Sequence, residues 1–387
     1  MNRGSEMWIR KLLTVLLILF VCTILLIAAY MAAGALPVQD FAQYWSAAHL
    51  IKQNPYSPEV VAHFQNSQGI HVNPPLVLKN PPWTIPTFLF LGLFSYPVAF
   101  ALWTLLTLLI LIGCLHAMWQ GLPNGAAPTP IFLPLLFGPA VVQFMLGQWT
   151  ILVLLGIAIF LIAVERRQDW IAGASLVLVL GKPHVALLFF LVVAIWTVRY
   201  KRWRIFISAT LAVVFASLLV GLLNPHVWAQ FAARTAQVVH ETESYPNIGG
   251  VLYRFSSAHA LGLIPQFVGV IWLVFYLRKH LKDWSWWNHG TLVILCSVVV
   301  SYYSYPYDEI LALPALLVAF ARSRTKRRLF LIPFFITNLG YALYITNVTA
   351  RFGFGYMFLW WTASGWLVTV ILASSGRLNE TVESAAY

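Results

Sequence analysis

Four short basic runs punctuate an otherwise apolar chain: Glu165-Arg166-Arg167, Arg199-Tyr200-Lys201-Arg202-Trp203-Arg204, Arg278-Lys279-His280-Leu281-Lys282 and Arg322-Ser323-Arg324-Thr325-Lys326-Arg327-Arg328. Between them lie apolar stretches long enough to form helices and almost free of charge. Charges are expensive in hydrocarbon and lysine and arginine collect in cytoplasmic loops, so this alternation demands a polytopic helical membrane protein with each basic run inside. Composition agrees, because only 9% of the 387 residues are charged and 60% are hydrophobic, whereas soluble domains carry roughly a quarter charged residues. The net charge of +12 is accounted for by these loops and gives no reason to invoke nucleic acid as a partner. Cys22, Cys114 and Cys296 lie in or beside apolar runs without the paired spacing of a metal or redox site.

Parity then fixes the topology. Arg3, Arg10 and Lys11 precede an apolar run at 12–33 that is long enough to span and has no clean cleavage site, so it reads as a retained first helix leading outward. An odd number of crossings must return the chain before Arg166, yet four apolar segments intervene, at 82–94, 97–119, 131–146 and 149–164. The first has about thirteen residues where roughly seventeen to twenty-five are needed, so it is expected to be a short, non-spanning helix on the outer side. Crossings then alternate through 170–180, expected to run on past Lys182, and 184–198, 205–223, 260–277, 288–304, 307–320, 329–345 and 352–373. The expected fold is an all-α polytopic bundle of about twelve transmembrane helices. It is a single integral membrane domain over 1–387, with 12–33 the first crossing, 34–96 an outer loop with interfacial helices, 97–373 the remaining bundle and 374–387 a short cytoplasmic tail.

On this topology the rare polar groups gather on the outer face: Asp40, Glu59, Gln148, Lys182, His184, Glu241, Glu243, Asn247, Arg254, Asp308 and Glu309. Lys182, in "LGKPH", ends an apolar helix where a cation either snorkels to headgroups or faces a cavity, a partner or an anionic ligand. Asp308, in "YSYPYDEILALP", opens a helix, where it serves as a cap with Glu309 complementing the dipole, or as a functional carboxylate. Asp40 begins "DFAQYWSAAHLIKQNPYSP". Gln43 lies three residues on, and Phe41, Tyr44, Ala47, Ala48 and Ile51 fall at helical spacing, so the local pattern is a capped amphipathic helix on the membrane surface, ended by Pro55. His63, His71, His184, His226, His240 and His259 are scattered without a ligand-like pair, so no metal site is expected. Glu241-Thr242-Glu243 reads as a solvated loop. No phosphate-cradling glycine loop and no G-x-S-x-G occurs, which disfavours an ATP-driven pump and a serine hydrolase.

Five stretches recur in family order: "DFAQYWSAAHLIKQNPYSP", "NPPWTIPTFLFLGLFSYPVAFALWTLLTLLIL", "GPAVVQFMLGQWTILVLLGIAIFLIAVERR", "AGASLVLVLGKPHVALLFFLVVAIWTVRYKRWR" and "SYPYDEILALPAL". Through them the chain resembles the GT-C membrane glycosyltransferases, and among them glycosyltransferase family 87, a polyprenyl-phosphate-mannose-dependent, mannosyltransferase-like group. The resemblance covers residues 40 to 317 and implies a GT-C-like bundle in which the first outer loop supplies the catalytic carboxylate, here Asp40. It also implies that Pro81-Pro82 opens a helix beside the site. The implied reaction is inverting transfer of a hexosyl, expectedly mannosyl, group from a polyprenyl-phosphate sugar to a lipid or glycan acceptor. It would proceed at the outer, periplasmic face of a bacterial plasma membrane, amid membrane lipids.

In that reading Asp40 is the general base. Lys182, with Arg254 and His184 in support, holds the donor phosphate. Gln148 and Asp308 bind substrate, and Tyr44, Trp45 and Trp83 offer faces to a sugar or prenyl chain. No cofactor is expected, and a divalent cation stays open. The competing expectation from another class is a transporter or flippase of a lipid-linked or amphipathic solute, which would also hold rare polar groups in a membrane cavity.

Overall fold

A computed structural model describes residues 39–122, 130, 132–238, 245–256, 259–323 and 326–375. The expected first crossing at 12–33, Glu241, Glu243, His240 and the expected tail beyond Ser375 lie outside these residues. Helices dominate, and no strand occurs among the described residues. The chain divides into two compact units, one of residues 1–109 and 217–239, the other of 110–216 and 240–387.

Five helical segments are long and apolar enough to cross a membrane: Tyr96–Gly121, Trp203–Leu223, Ala260–His280, Arg328–Ile345 and Gly355–Ser375. Several turn large apolar side chains outward, Leu222 at 84% and Phe215 at 70% exposure among them, as lipid-facing helices do. Four further apolar helical segments are shorter: Thr150–Glu165, Asp169–Val179, Pro183–Arg199 and Trp286–Val299. Against about twelve expected crossings, several of them short, the described residues contain five segments of crossing length and these four shorter ones. Glycine and proline divide several of the expected segments. The stretch expected to cross at 131–146 is two helices, Phe132–Leu135 and Gly138–Leu146, parted before Gly138-Pro139. The helix expected to run past Lys182 stops at Val179, and a 3-10 turn starts at Pro183, whose ring cannot continue an α-helix. The 307–320 segment opens as a 3-10 helix, Pro306–Ala312, before the α-helix Leu313–Arg322.

In the first unit, the described residues from Gln39 onward form helices packed into a core. The Phe41–His49 helix, expected to lie on a membrane surface with one face wet, buries Phe41, Ala42, Tyr44, Trp45, Ser46, Ala47 and Ala48. Aromatic rings surround it: Phe41 has Phe88, Tyr96, Phe100 and Trp103 within 6.2 Å. The polar face is covered too. Gln65, on the Pro58–Ser67 helix, donates to Ser46 Oγ at 3.2 Å and to Leu76 O at 3.0 Å, while its Oε1 accepts from Leu76 N. Apolar spacing marks a buried face but not what covers the opposite one, which is why the sequence pattern suggested a surface helix. The 82–94 segment is helical and short as expected, but as two 3-10 stretches, Pro82–Phe88 and Leu91–Leu93, with Pro86 inside the first.

In the second unit, Thr150–Glu165 and Asp169–Val179 form a helical hairpin, followed by Leu187–Arg199. Three basic runs meet at one end of these helices. Arg202 donates to Asp169 through Nε at 2.8 and 2.7 Å and also through Nη2. Tyr200 Oη donates to Leu281 O at 2.7 Å. The opposite end of the 16-residue helix Thr150–Glu165 lies about 24 Å away along its axis.

Phe41→Ala would leave a large cavity in the ring cluster and is expected to cost roughly 3–5 kcal/mol. Thermal unfolding of the detergent-solubilised protein should show a clearly lowered midpoint; an unchanged midpoint would mean the cluster is not load-carrying.

Candidate functional site

At the end of the second unit away from the basic runs, a buried ion pair joins two helix ends. Gly147 takes φ +66° at the end of the Gly138–Leu146 helix, a left-handed turn suited to glycine, and this turns the chain so that Gln148 stands two residues before the Thr150–Glu165 helix. Gln143 Nε2 donates to the Gln148 carbonyl and pins that turn. Across from it, Gly181 lets the Trp149 indole lie against the backbone, since a Cβ there would stand 2.4 Å from Trp149 Nε1. Lys182 follows between Gly181 and Pro183.

Lys182 is 7% exposed and Asp308 is fully buried. Lys182 Nζ donates to Asp308 Oδ1 at 2.8 Å and to Gln148 Oε1 at 3.3 Å, and it stands 4.4 Å above the centre of the Tyr307 ring. Thr150 Oγ1 donates to the same Asp308 Oδ1 at 2.7 Å, and the Tyr305 N–H donates to Oδ2 at 3.0 Å. Asp308 thus takes the capping role: at the third position of the Pro306–Ala312 helix its side chain returns to the Tyr305 N–H as in a capping box, while its other oxygen faces the lysine. A buried carboxylate with one ammonium and two neutral donors is fully partnered, the condition under which such a pair is tolerated away from water.

Glu309 faces the other way. It is buried and accepts from Tyr341 Oη at 2.8 Å, Trp366 Nε1 at 2.7 Å and Thr362 Oγ1 at 2.8 Å, while Tyr341 also donates to Pro306 O at 3.1 Å. These contacts anchor the 306–309 turn to the Arg328–Ile345 and Thr362–Ser375 helices, and so hold Asp308 in register with Lys182. The expected dipole role for Glu309 is a minor one beside this network.

His184 stacks on Tyr303 with ring centres 3.8 Å apart, and its carbonyl accepts from Ser301 Oγ at 3.2 Å. Buried Asn247 donates to Ser301 O at 3.2 Å and Ser304 Oγ at 3.3 Å, tying the start of the Ile248–Ser256 helix to the same segment. Arg254, in the last turn of that helix, is exposed and makes no ion pair or hydrogen bond among the described residues. The structure thus brings Gln148, Lys182 and Asp308 into direct contact and sets His184 two residues from the lysine, while the cluster's polar contacts are made without Arg254. Sequence reasoning missed Thr150, Tyr305 and Tyr307 as partners of the pair, and Tyr341, Thr362 and Trp366 as partners of Glu309. The tyrosine-rich run beside Asp308-Glu309 was the one visible signal.

Asp40, Tyr44, Trp45 and Trp83 belong to the first unit. Asp40 precedes the Phe41–His49 helix but makes no capping hydrogen bond with its side chain; the backbone turn Gln43 N to Asp40 O at 3.1 Å starts the helix instead. The expected capping role is thus not taken up. Tyr44 is stacked on Phe88 at 4.7 Å, and Trp45 is buried with Nε1 donating to Phe94 O at 3.1 Å. Both rings serve the core here. Trp83 is half-buried, 5.5 Å from Trp228. Outside the apolar helices, the Ser57 hydroxyl donates to Glu59 at 2.6 Å and holds that carboxyl below its usual range. Among the described residues no three His, Cys, Asp or Glu side chains gather as a metal site.

Long apolar helices define a membrane protein, and its second unit holds a buried, fully partnered ion pair. The sequence profile of glycosyltransferase family 87 matches residues 79–332, and the chain belongs to that family. It is therefore a glycosyltransferase, using a sugar donor and an acceptor at a membrane, rather than a transporter. The matched span contains Trp83, Gln148, Lys182, His184, Arg254 and Asp308, whereas Asp40, Tyr44 and Trp45 precede it. No curated protein and no solved structure matches the chain.

Removing one member of the pair leaves the other buried and unpartnered. Lys182→Met alone is expected to cost about 3–5 kcal/mol, and Lys182→Met with Asp308→Leu to recover a large part of that loss. Melting curves of the two singles and the double test this; strictly additive losses would mean the pair is not coupled.

Proposed function

We propose that this glycosyltransferase moves a hexosyl, in our reading mannosyl, group from a polyprenyl-phosphate sugar to a lipid or glycan acceptor with inversion, in a GT-C-like architecture. The observation that carries the proposal is the contact of Lys182, Asp308 and Gln148 at the helix ends opposite the basic runs. If those runs are cytoplasmic, as the charge rule requires, the cluster faces the outer side, where a lipid-linked donor suits the chemistry. In a bacterium this is the periplasmic face of the plasma membrane.

The acceptor hydroxyl oxygen attacks the anomeric carbon and its proton passes to the base, for which Asp40 is our candidate. The bond from that carbon to the phosphate oxygen breaks, and the pair of electrons leaves on the polyprenyl phosphate. A single displacement needs no second carboxylate as nucleophile. The leaving phosphate already carries charge and is helped by a cation rather than a strong acid. Lys182 is the candidate, with His184 beside it and Arg254 as an exposed supplement. An ammonium has three N–H donors. Two are used on Asp308 and Gln148, which leaves one for a phosphate oxygen. Because Asp308 neutralises Lys182, this attraction is short-range and directional rather than a long-range field. Gln148 and Asp308 in turn suit sugar hydroxyls. Of Tyr44, Trp45 and Trp83, Trp83 is the one left partly exposed, and it is our candidate to meet the prenyl chain.

Asp40→Asn should lower the transfer rate by about 10²–10⁴ in protein with unchanged melting and elution; an undiminished rate excludes Asp40 as the base. Lys182→Ala should weaken donor binding by about 10- to 100-fold, measured by titration with a short-chain polyprenyl-phosphate hexose. Wild-type affinity would remove the phosphate role.

A further inference from the structure

The rings beside the ion pair form a closed circuit. Starting from His184, the Tyr303 ring is stacked at 3.8 Å, Tyr245 leans on Tyr303 at 5.2 Å, and Tyr305 meets Tyr245 edge-on at 5.8 Å. Tyr307 is stacked on Tyr305 at 5.3 Å and carries the Lys182 ammonium on its face at 4.4 Å. Only Pro183 separates Lys182 from His184, so the circuit closes through the backbone. Tyr307 is buried, whereas Tyr245, Tyr303 and Tyr305 are half-buried. The half-buried part of the circuit is therefore a wall of three phenol rings, joined to the lysine through Tyr307.

Tyrosines of this density also occur in interfacial belts, where each ring points separately toward headgroups. These instead pack on one another in sequence beside a buried charge pair, whereas Trp170 at 50% and Phe255 at 88%, in the same unit, stand exposed. A wall with an apolar face, polar edges and a charge pair at one end matches a pyranose, which has an apolar C–H face and a rim of hydroxyls. A prenyl chain laid there would cover the ion pair without hydrogen-bonding it.

We infer that Tyr303 and Tyr305 form the subsite for the hexose of the donor, the pyranose stacking on their faces while its phosphate lies at Lys182. The inference rests on the reading of Lys182 as the donor-phosphate cation. It assigns sugar recognition to a tyrosine wall in the second unit, in place of Tyr44 and Trp45, which are spent on the core.

The test compares binding of a short-chain polyprenyl-phosphate hexose with binding of the same polyprenyl phosphate lacking the sugar, to the purified full chain. Tyr303→Leu should weaken the sugar-bearing lipid about fivefold or more and leave the sugar-free lipid within about twofold, while Tyr303→Phe, which keeps the ring, stays near wild type. Equal losses for both lipids, or none for either, would overturn the subsite. Should Tyr303→Leu not fold, saturation-transfer NMR of the wild-type protein with a hexose 1-phosphate reads the same contact. Enhancement confined to the C–H protons of one pyranose face supports the wall, and uniform or absent enhancement overturns it. Sugar transfer measured on the same preparation separates the two claims. Transfer from the polyprenyl-phosphate hexose without the tyrosine effect sinks only the wall. Sugar contact without transfer from any such donor sinks the donor reading.

Discussion

An ammonium and a carboxylate sealed together among apolar helices must satisfy each other almost completely, because neither has water to fall back on. Lys182 and Asp308 meet that demand with help from Gln148, Thr150 and the Tyr305 N–H. Much of the second unit follows from it. The Thr150–Glu165 helix has to start at the pair, the Asp169–Val179 helix has to stop short of it, and the 306–312 helix has to be tight enough to present Asp308 on one side and Glu309 on the other. Glycine and proline at 147, 181, 183 and 306 are the residues that make those ends sharp. Helices interrupted in this way cannot all be of full crossing length, so the shortness of several segments and the placement of the charges have one cause.

The membrane character and the topological logic were legible because the cost of charge in hydrocarbon is a local property of each residue. The same logic, through helix parity alone, puts Gln148, Lys182 and Asp308 on one face. Continuity of helices was less legible: the apolar run at 131–146 reads as one span, yet Gly138-Pro139 divides it. The Phe41–His49 helix shows a second limit. Its spacing marks an apolar face, but its burial depends on Gln65 and the rings of Phe88, Phe100 and Trp103, which arrive from elsewhere in the chain. The partners of Glu309 were invisible for the same reason, since Tyr341 and Trp366 stand more than thirty residues away in sequence.

The pair also shapes the chemistry proposed for this family 87 member. A lone buried lysine would attract any anion; one neutralised by Asp308 recognises an anion only at hydrogen-bonding distance and in a given direction. That favours a ligand already positioned by other contacts, as a lipid-anchored phosphate is by its membrane chain, over a freely diffusing nucleotide. Selectivity for the sugar then has to come from neighbouring surfaces rather than from charge, and the phenol rings around the pair are the nearest such surface.

The central claim is that the donor is a lipid-linked sugar phosphate. Its most direct test is to reconstitute the purified chain in vesicles with an acceptor lipid extract, supply a panel of polyprenyl-phosphate hexoses in parallel with nucleotide sugars, and identify the products by mass. The account predicts a hexose mass increment on the acceptor with a polyprenyl-phosphate donor and none with nucleotide sugars. Transfer from nucleotide sugars alone would contradict it.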